Sequence, residues 1–317
     1  MKEHKEVSAA LRQSEASQRC VIGANRALYH ALRRRVRTGE LISPYPNLFA
    51  SQSYWNNLSL EQQSLHIIRA LATLHPQWVF AGLSAACIYG YQHSYSLHDG
   101  TVFIASSNGT GHHDTKRLQR IYMSNVPKWR CSEILVTSPA RTLIDCATIS
   151  FPYALAIYDS ALRAGRVSAM DVTVLMLQTN CDESAVRRLL QYADPLRESG
   201  GESWACGCII ELGYAVPQLQ ETFDNPDNLR MPYRVDFCWK LADGRIIVAE
   251  YDGMAKYADT SNPNRASLQA KLNYAYRREQ HLANQGVTSI VHLFYEDVID
   301  RVRLGAKLSE AGVPKIR

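Results

Sequence analysis

Tyr233–Tyr257 reads YRVDFCWKLADGRIIVAEYDGMAKY. Two alternating apolar runs, Arg234–Trp239 and Arg245–Asp252, flank Asp243-Gly244. Asp and Gly tolerate the positive φ of a tight turn, so the stretch is a predicted β-hairpin. Folding it about Asp243 sets Asp236 opposite Glu250, to within about one residue of register. Side chains alternate along a strand, so Glu250 and Asp252 share a face. Three carboxylates then meet on one side of a short sheet, with Lys256 a few residues on.

Carboxylates in close quarters repel, and each resists ionisation beside the others. A divalent cation with oxygen ligands offsets that repulsion. Mg²⁺ or Mn²⁺ is the expected cofactor, because such ions take a small number of carboxylates together with waters and phosphate oxygens. The bound ion lowers the pKa of a water and stabilises charge on a phosphoryl group, and a nearby ammonium orients that water. The plain alternative is a surface hairpin whose acids are solvated.

Upstream, Gly201-Glu202-Ser203 opens a predicted helix, ESWACGCIIELG, closed by Gly213. Downstream, Arg265–Gln285 is a long helical stretch carrying Arg277, Arg278 and Glu279, followed by the strand-like TSIVHLF. Asp, a turn and Glu-x-Asp-Gly, in the order helix, hairpin, helix, strand, resemble the PD-(D/E)XK nuclease fold in its very-short-patch-repair-like (Vsr-like) branch. The resemblance covers about residues 198–300. It implies a restriction-endonuclease-like domain in which Glu202, Asp236 and Glu250 are acidic site residues; the hairpin geometry adds Asp252 to the site and puts Asp236, Glu250 and Asp252 on the metal. Asp252 stands where the family has lysine, and Lys256 is the close substitute.

Composition agrees with a multi-domain globular chain. There are 317 residues, 46% hydrophobic and 21% charged, enough for two or three domains. No apolar run is long enough to span a bilayer, and the first twenty residues carry no apolar signal core. A cytoplasmic protein with no membrane role is the expectation. The eight cysteines (Cys20, Cys87, Cys131, Cys146, Cys181, Cys206, Cys208, Cys238) are scattered without a C-x-x-C pair. They read as buried thiols in a reducing compartment, since zinc sites usually show more paired spacing.

Charge is unevenly placed. Residues 1–55 hold nine Lys or Arg against four acids, which is the whole net charge of +5. Residues 16–39 contain no acid. Leu28, Leu32 and Val36 repeat as a helix stripe, with Arg26, His30, Arg33 or Arg34, and Arg37 on the other side and Gly39 as the stop. Two short apolar pieces follow around Pro44 and Pro46. A basic amphipathic helix with a short hairpin suggests a winged helix-turn-helix, in which a helix enters the major groove and cations neutralise phosphates. A solvated arginine-rich face is the alternative. Arg33-Arg34-Arg35-Val36 with Gly39-Glu40-Leu41 and Phe49 resemble the winged head of AbiEi-type antitoxins, although Pro44 and Pro46 replace the usual wing glycine.

In the middle, Ser59-Leu60-Glu61-Gln62 is a capping box, and the helix after it stops before Pro76. GLSAACIYGY (82–91) is a short helix of small residues, and TVFIA (101–105) is β-rich. SSNGTGHHDTKR (106–117) is a polar loop whose His112 and His113 need no metal to explain them. Lys116, Arg117, Arg120, Lys128 and Arg130 form a second basic patch. Ser138 and Pro139 start a helix well, on which Arg141 and Asp145 are spaced to pair. SAACIYGY, TSPARTLIDCA and DSALRAG resemble the central region of AbiEi-like proteins. Ser168-Ala169-Met170-Asp171 opens a further helix, and DPLRESGG (194–201) reads as a linker.

The expected fold is mixed α/β. A winged-helix head (1–55) is followed by an α/β scaffold (56–193) and an endonuclease-like domain (194–317). Double-stranded DNA is the expected partner, contacted by Arg26, Arg33, Arg34, Arg35, Arg37, Lys116 and Arg117. The resemblances imply metal-dependent phosphodiester hydrolysis in phage defence or DNA repair. The alternative they imply is an antitoxin-type transcriptional regulator with a cognate toxin, in which the nuclease fold is silent. Repeat-reading winged-helix proteins often form homodimers, but no heptad run supports one here.

Overall fold

The computed structural model describes residues 4–107, 116–126, 128–252 and 268–316. They form two compact units, 1–149 with 164–190 and 150–163 with 191–317. Among the described residues no helix is long and apolar enough to cross a membrane.

The first unit begins with α1 (Lys5–Ala16), β1 (Val21–Ile22), α2 (Arg26–Arg37), β2 (Leu41–Tyr45) and β3 (Leu48–Ser51). The strands lie in the order β1-β3-β2. Asn25 caps α2 by accepting the Leu28 N–H at 2.8 Å, which contributes about 1 kcal/mol. Leu28 and Leu32 pack with Val7, Leu41 and Phe49, and Val36 is partly buried beside them. The stripe read from the sequence is therefore the seam that holds helix to sheet. Asn47, at φ 62, turns β2 into β3; Asn is one of the residues that adopts this conformation at low cost.

This head does not stand apart. Tyr45, Leu48 and Trp55 share a core with Ile67, Leu71, Phe80 and Ile104. After the short α3 (Gln52–Asn56) come α4 (Leu60–Leu74), α5 (Gly82–Tyr89), β4 (Val102–Ser106), β5 (Leu118–Tyr122), β6 (Trp129–Cys131), β7 (Ile134–Val136) and α6 (Pro139–Cys146). β4 pairs β5 in parallel and β6 pairs β7 antiparallel. Phe80 bridges both pairs, to Ile104 and to Val136. The capping boxes at Ser59 and Ser168 both form, and Ser138 caps α6 with Pro139 in its first turn. The chain then makes α7 (Phe151–Arg163), which belongs to the second unit, and α8 (Ala169–Met176) and α9 (Glu183–Tyr192).

The second unit runs α10 (Gly200–Glu211), β8 (Gln218–Phe223), β9 (Tyr233–Lys240), β10 (Ile246–Tyr251), α11 (Leu268–Asn284), β11 (Val287–Leu293), α12 (Tyr295–Ile299) and α13 (Arg301–Glu310). The sheet order is β11-β10-β9-β8. β8, β9 and β10 are antiparallel neighbours, and β10 pairs β11 in parallel after the α11 crossover. Phe237, Trp239, Ile247, Ala249 and Leu293 pack with α10, α12 and α13. Val235, Val248, Val287 and Leu282 form a second cluster, to which α11 contributes Leu282. α7 lies against α10, where a Cβ on Gly207 would fall 2.6 Å from the Pro152 Cα. Only glycine permits that approach.

The stretch 194–201 is a clamp rather than a loose linker. Arg197, 2% exposed, donates to Asp159 on α7 at 2.7 Å and to the Tyr192 carbonyl at 3.1 Å. Asp159 also accepts the Asp194 N–H at 2.8 Å. A buried charge needs such partners. The sequence shows the polar residues but not the helix they anchor to.

Candidate functional site

The hairpin forms as read. Lys240 pairs with Ile246 and Phe237 with Ala249, around a turn in which Gly244 has φ +89. The next step would set Asp236 opposite Glu250, but the backbone ladder stops there. Asp236 Oδ2 instead accepts the Tyr251 N–H at 2.8 Å, so a carboxylate takes the place of a backbone acceptor. The neighbouring ladder skips the same level, since Leu219 pairs with Phe237 and Glu221 with Val235. Gln220, between them, has φ 53. Val235 and Phe237 consequently pack in different clusters, although strict alternation would put them on one face. The irregularity opens the sheet at Asp236, and such bulges re-aim side chains.

Glu202 arrives from the first turn of α10. Its carboxylate accepts from Ser199 Oγ at 2.7 Å, the Glu198 N–H at 2.9 Å and Gln220 Nε2 at 3.2 Å. Burial, and then the charge of Asp236, push its pKa up, while Ser199 and the Glu198 amide pull it down. Glu202 and Asp236 are thus electrostatic neighbours. Gly201 lets the first turn of α10 sit against Tyr251 of β10, since a Cβ there would collide with the Tyr251 ring.

The two acids of β10 are engaged across the sheet. Glu250 is paired with Arg278 of α11, whose guanidinium also donates to the Arg234 carbonyl at 2.9 Å and lies over the Tyr233 ring. Asp252 Oδ2 meets His292 Nδ1 at 2.8 Å, and His292 Nε2 is 3.7 Å from Glu279. Asp252 pushes the His292 pKa up, against burial. Arg278 and His292 are parts of this site that spacing along the sequence does not reveal. Lys256 lies outside the described residues, as do His112 and His113.

Among the described residues, the acids do not close into a three-ligand cage. Cys87, His93 and His98 are the group of His, Cys, Asp or Glu ligands whose donor atoms all lie within 4.8 Å of one another. The donor set of Asp236, Glu250 and Asp252 still suits a hard cation, which needs few carboxylates when water and phosphate complete its shell.

The basic residues of the first unit divide sharply. Arg26, Arg33, Arg34 and Arg37 are exposed on α2. Arg35, expected beside them, is buried at 5% exposure. It donates to the Ala31 carbonyl at 3.3 Å and pairs with Glu40 at 3.3 Å, because the helical turn that exposes Arg33 and Arg34 points residue 35 inward. Lys116 and Arg117 are exposed. Arg117 donates to the Pro44 carbonyl near the end of β2. Arg33 and Arg117 line one cleft of about 680 Å³ with Tyr29, Pro46 and Gln52. Arg33 of the first basic patch and Arg117 of the second therefore share this cleft beside the β2–β3 turn. Elsewhere in the unit, Arg141 and Asp145 pair at 2.7 Å as their spacing implies, and burial raises Asp145 to about 6.

No protein-family model matches this chain. Two proteins of Mycobacterium tuberculosis, Uncharacterized protein MT2308 (strain CDC 1551 / Oshkosh) and Uncharacterized protein Rv2248 (strain ATCC 25618 / H37Rv), are each 29% identical to it over 234 residues. That is 71% of this chain and 78% of theirs. The crystal structure of the RV2827C protein from Mycobacterium tuberculosis shares 14% identity at a TM-score of 0.30, covering 65% of this chain and 79% of that one. A score this low carries no fold assignment.

Proposed function

We propose that the protein binds double-stranded DNA through its basic first unit and hydrolyses phosphodiester bonds in its second, using Mg²⁺ or Mn²⁺. The observation that carries the reading is the opening of the ladder at Asp236. It sets one carboxylate against the backbone between Glu250 and Asp252, with Glu202 close enough to feel its charge. The α-β-β-β-α-β order around that opening also agrees with the nuclease resemblance. Asp236, Glu250 and Asp252 would hold the cation, which supplies charge at the phosphoryl oxygens and a more acidic water. Glu202 orients the Gln220 amide and adds negative charge beside Asp236. His292, its pKa pushed up by Asp252, is the basic side chain held against the acid that stands where the resemblance calls for lysine. On the first unit, exposed arginines and the Arg33–Arg117 cleft suit a phosphate backbone.

The test is nicking of supercoiled plasmid with Mn²⁺ and with Mg²⁺. We expect cleavage that chelator abolishes and that Asp236→Asn lowers at least about a hundredfold, since loss of a charge-stabilising group commonly costs that much. An Asp236→Asn protein that cleaves as fast as wild type discards the assignment.

A second reading has its own support. Arg278 pairs with Glu250 and His292 hydrogen-bonds Asp252, so two of the acids already have partners. A DNA-binding regulator of antitoxin type, its nuclease fold silent, would keep those partners. Tight DNA binding by wild type with no cleavage in either metal decides for that reading.

A further inference from the structure

Cys87, His93 and His98 follow no familiar ligand spacing, yet the fold of the first unit gathers them. Cys87 is in the last turn of α5. Gly90, at φ +73, ends that helix, and the chain turns back through His93 and a single 3₁₀ turn, Tyr95–Leu97, to His98. Cys87 and His93 are buried, while His98 is half-buried. The thiol sulfur and a ring nitrogen from each histidine all lie within 4.8 Å of one another.

The histidine geometry is specific. His93 Nδ1 lies 2.5 Å from the Tyr91 carbonyl. A carbonyl only accepts, so Nδ1 carries the proton and neutral His93 presents Nε2 as a lone pair. That lone pair faces His98 Nε2 at 2.6 Å. A ligating histidine whose other nitrogen donates to a backbone carbonyl is the usual arrangement around a metal. Burial, with His93 adjacent, also holds His98 down at about 4. A proton shared by the two rings accounts for their closeness, and the Cys87 thiol donates to the Glu61 carbonyl at 3.9 Å; metal binding would replace both hydrogen bonds with coordination by all three groups.

We propose that Cys87 Sγ, His93 Nε2 and His98 Nε2 bind Zn²⁺, with water in the fourth position. One thiolate and two imidazoles select zinc over the oxygen-seeking Mg²⁺ or Mn²⁺. This metal is therefore chemically distinct from the one proposed at Asp236. It ties the segment after α5 back onto that helix, and both α5 and the 3₁₀ turn pack against α4. Binding displaces the thiol proton, which burial otherwise holds in place.

The experiment uses the full chain. Zinc is measured by mass spectrometry after purification without chelator, and metal-free protein is titrated with Co²⁺. We expect about one zinc per chain, as a single three-ligand site implies. The Co²⁺ form should show intense visible bands of tetrahedral geometry and a near-ultraviolet thiolate-to-cobalt band. Cys87→Ser removes the thiolate band. His98→Asn, at a half-exposed position, keeps the native circular dichroism and weakens Co²⁺ binding by about tenfold or more. Should Cys87→Ser fail to fold, the wild-type and His98→Asn titrations decide. Wild type without a thiolate band overturns the proposal and leaves a plain hydrogen bond between the histidines. So does a band that survives Cys87→Ser, because it belongs to another of the cysteines.

Discussion

α2 and the open end of β9 and β10 each collect charge of one sign, and the fold treats the two collections oppositely. On α2, Arg26, Arg33, Arg34 and Arg37 stand in solvent. At the sheet, Glu202 and Glu250 are buried. Each of the four acids there is engaged: Glu202 by Ser199, Glu198 and Gln220, Asp236 by the Tyr251 amide, Glu250 by Arg278 and Asp252 by His292. Water screens exposed cations at little cost to folding. Desolvated anions must find partners within the fold. Arg35 shows the rule inside a single helix, because the one arginine of that run turned inward is also the one held by Glu40 and the Ala31 carbonyl. A basic face can thus persist for an external partner with no structural duty. An acidic cluster has to exchange internal partners before it can hold a cation.

The largest expected effect tests the buried half of this comparison. Asp159 and Arg197 are 0% and 2% exposed and joined at 2.7 Å. Asp159→Ala leaves a buried guanidinium without its carboxylate, and should cost about 3–5 kcal/mol in urea unfolding. Replacing both partners with apolar residues of similar volume should cost much less, since no orphaned charge remains. Equal losses from the single and double variants would mean that packing, not charge compensation, holds the 194–201 clamp.

A smaller effect probes the acid site through pH. Asp252 raises the folded pKa of His292, above an unfolded value of about 6.5. A raised imidazole stabilises the fold fully below the unfolded pKa, and that stabilisation is lost as pH rises through the folded one. His292→Asn should therefore lower the melting temperature near pH 5.5, and do so much less near pH 9, with 6.5 the lower bound of the change. The ring is 41% exposed, so screening holds the difference under about 1 kcal/mol. A pH-independent loss would show that the pair is a neutral hydrogen bond.

What the sequence revealed of this architecture was local. Asp243-Gly244 with alternation on both sides located the hairpin and nearly its register. Ser59, Ser138 and Ser168 announced helix starts that the structure contains, because a cap is set by residues three apart. The opening at Asp236 is different. It depends on Gln220 adopting a positive φ in the strand alongside, and no periodicity signals that. Arg278 and His292 reach their acids across 28 and 40 residues of chain, a separation only the folded sheet closes. The clamp at Arg197 was hidden for the same reason, since its polar surroundings look like a linker until α7 is placed beside them. Cys87, His93 and His98 meet because a helix end and a 3₁₀ turn fold the chain back, which a search for paired cysteines overlooks.

The smallest stability effect tests the exposed half. Arg33→Ala with Arg34→Ala removes two solvated cations and should leave unfolding within about 0.5 kcal/mol of wild type. Arg35→Ala, one residue on, should cost more, because Arg35 is held by Glu40 and the Ala31 carbonyl. DNA binding should rank the variants the other way. If α2 lies on phosphates, each lost contact reduces the slope of log affinity against log salt by about 0.9. The Arg33–Arg34 pair would then change the slope while Arg35→Ala leaves it alone. Titrating a labelled duplex at several salt concentrations with all three proteins measures both quantities in matched samples. A slope that moves only with Arg35 would invert the comparison, making the exposed face idle and placing the DNA contact where the fold has buried a charge.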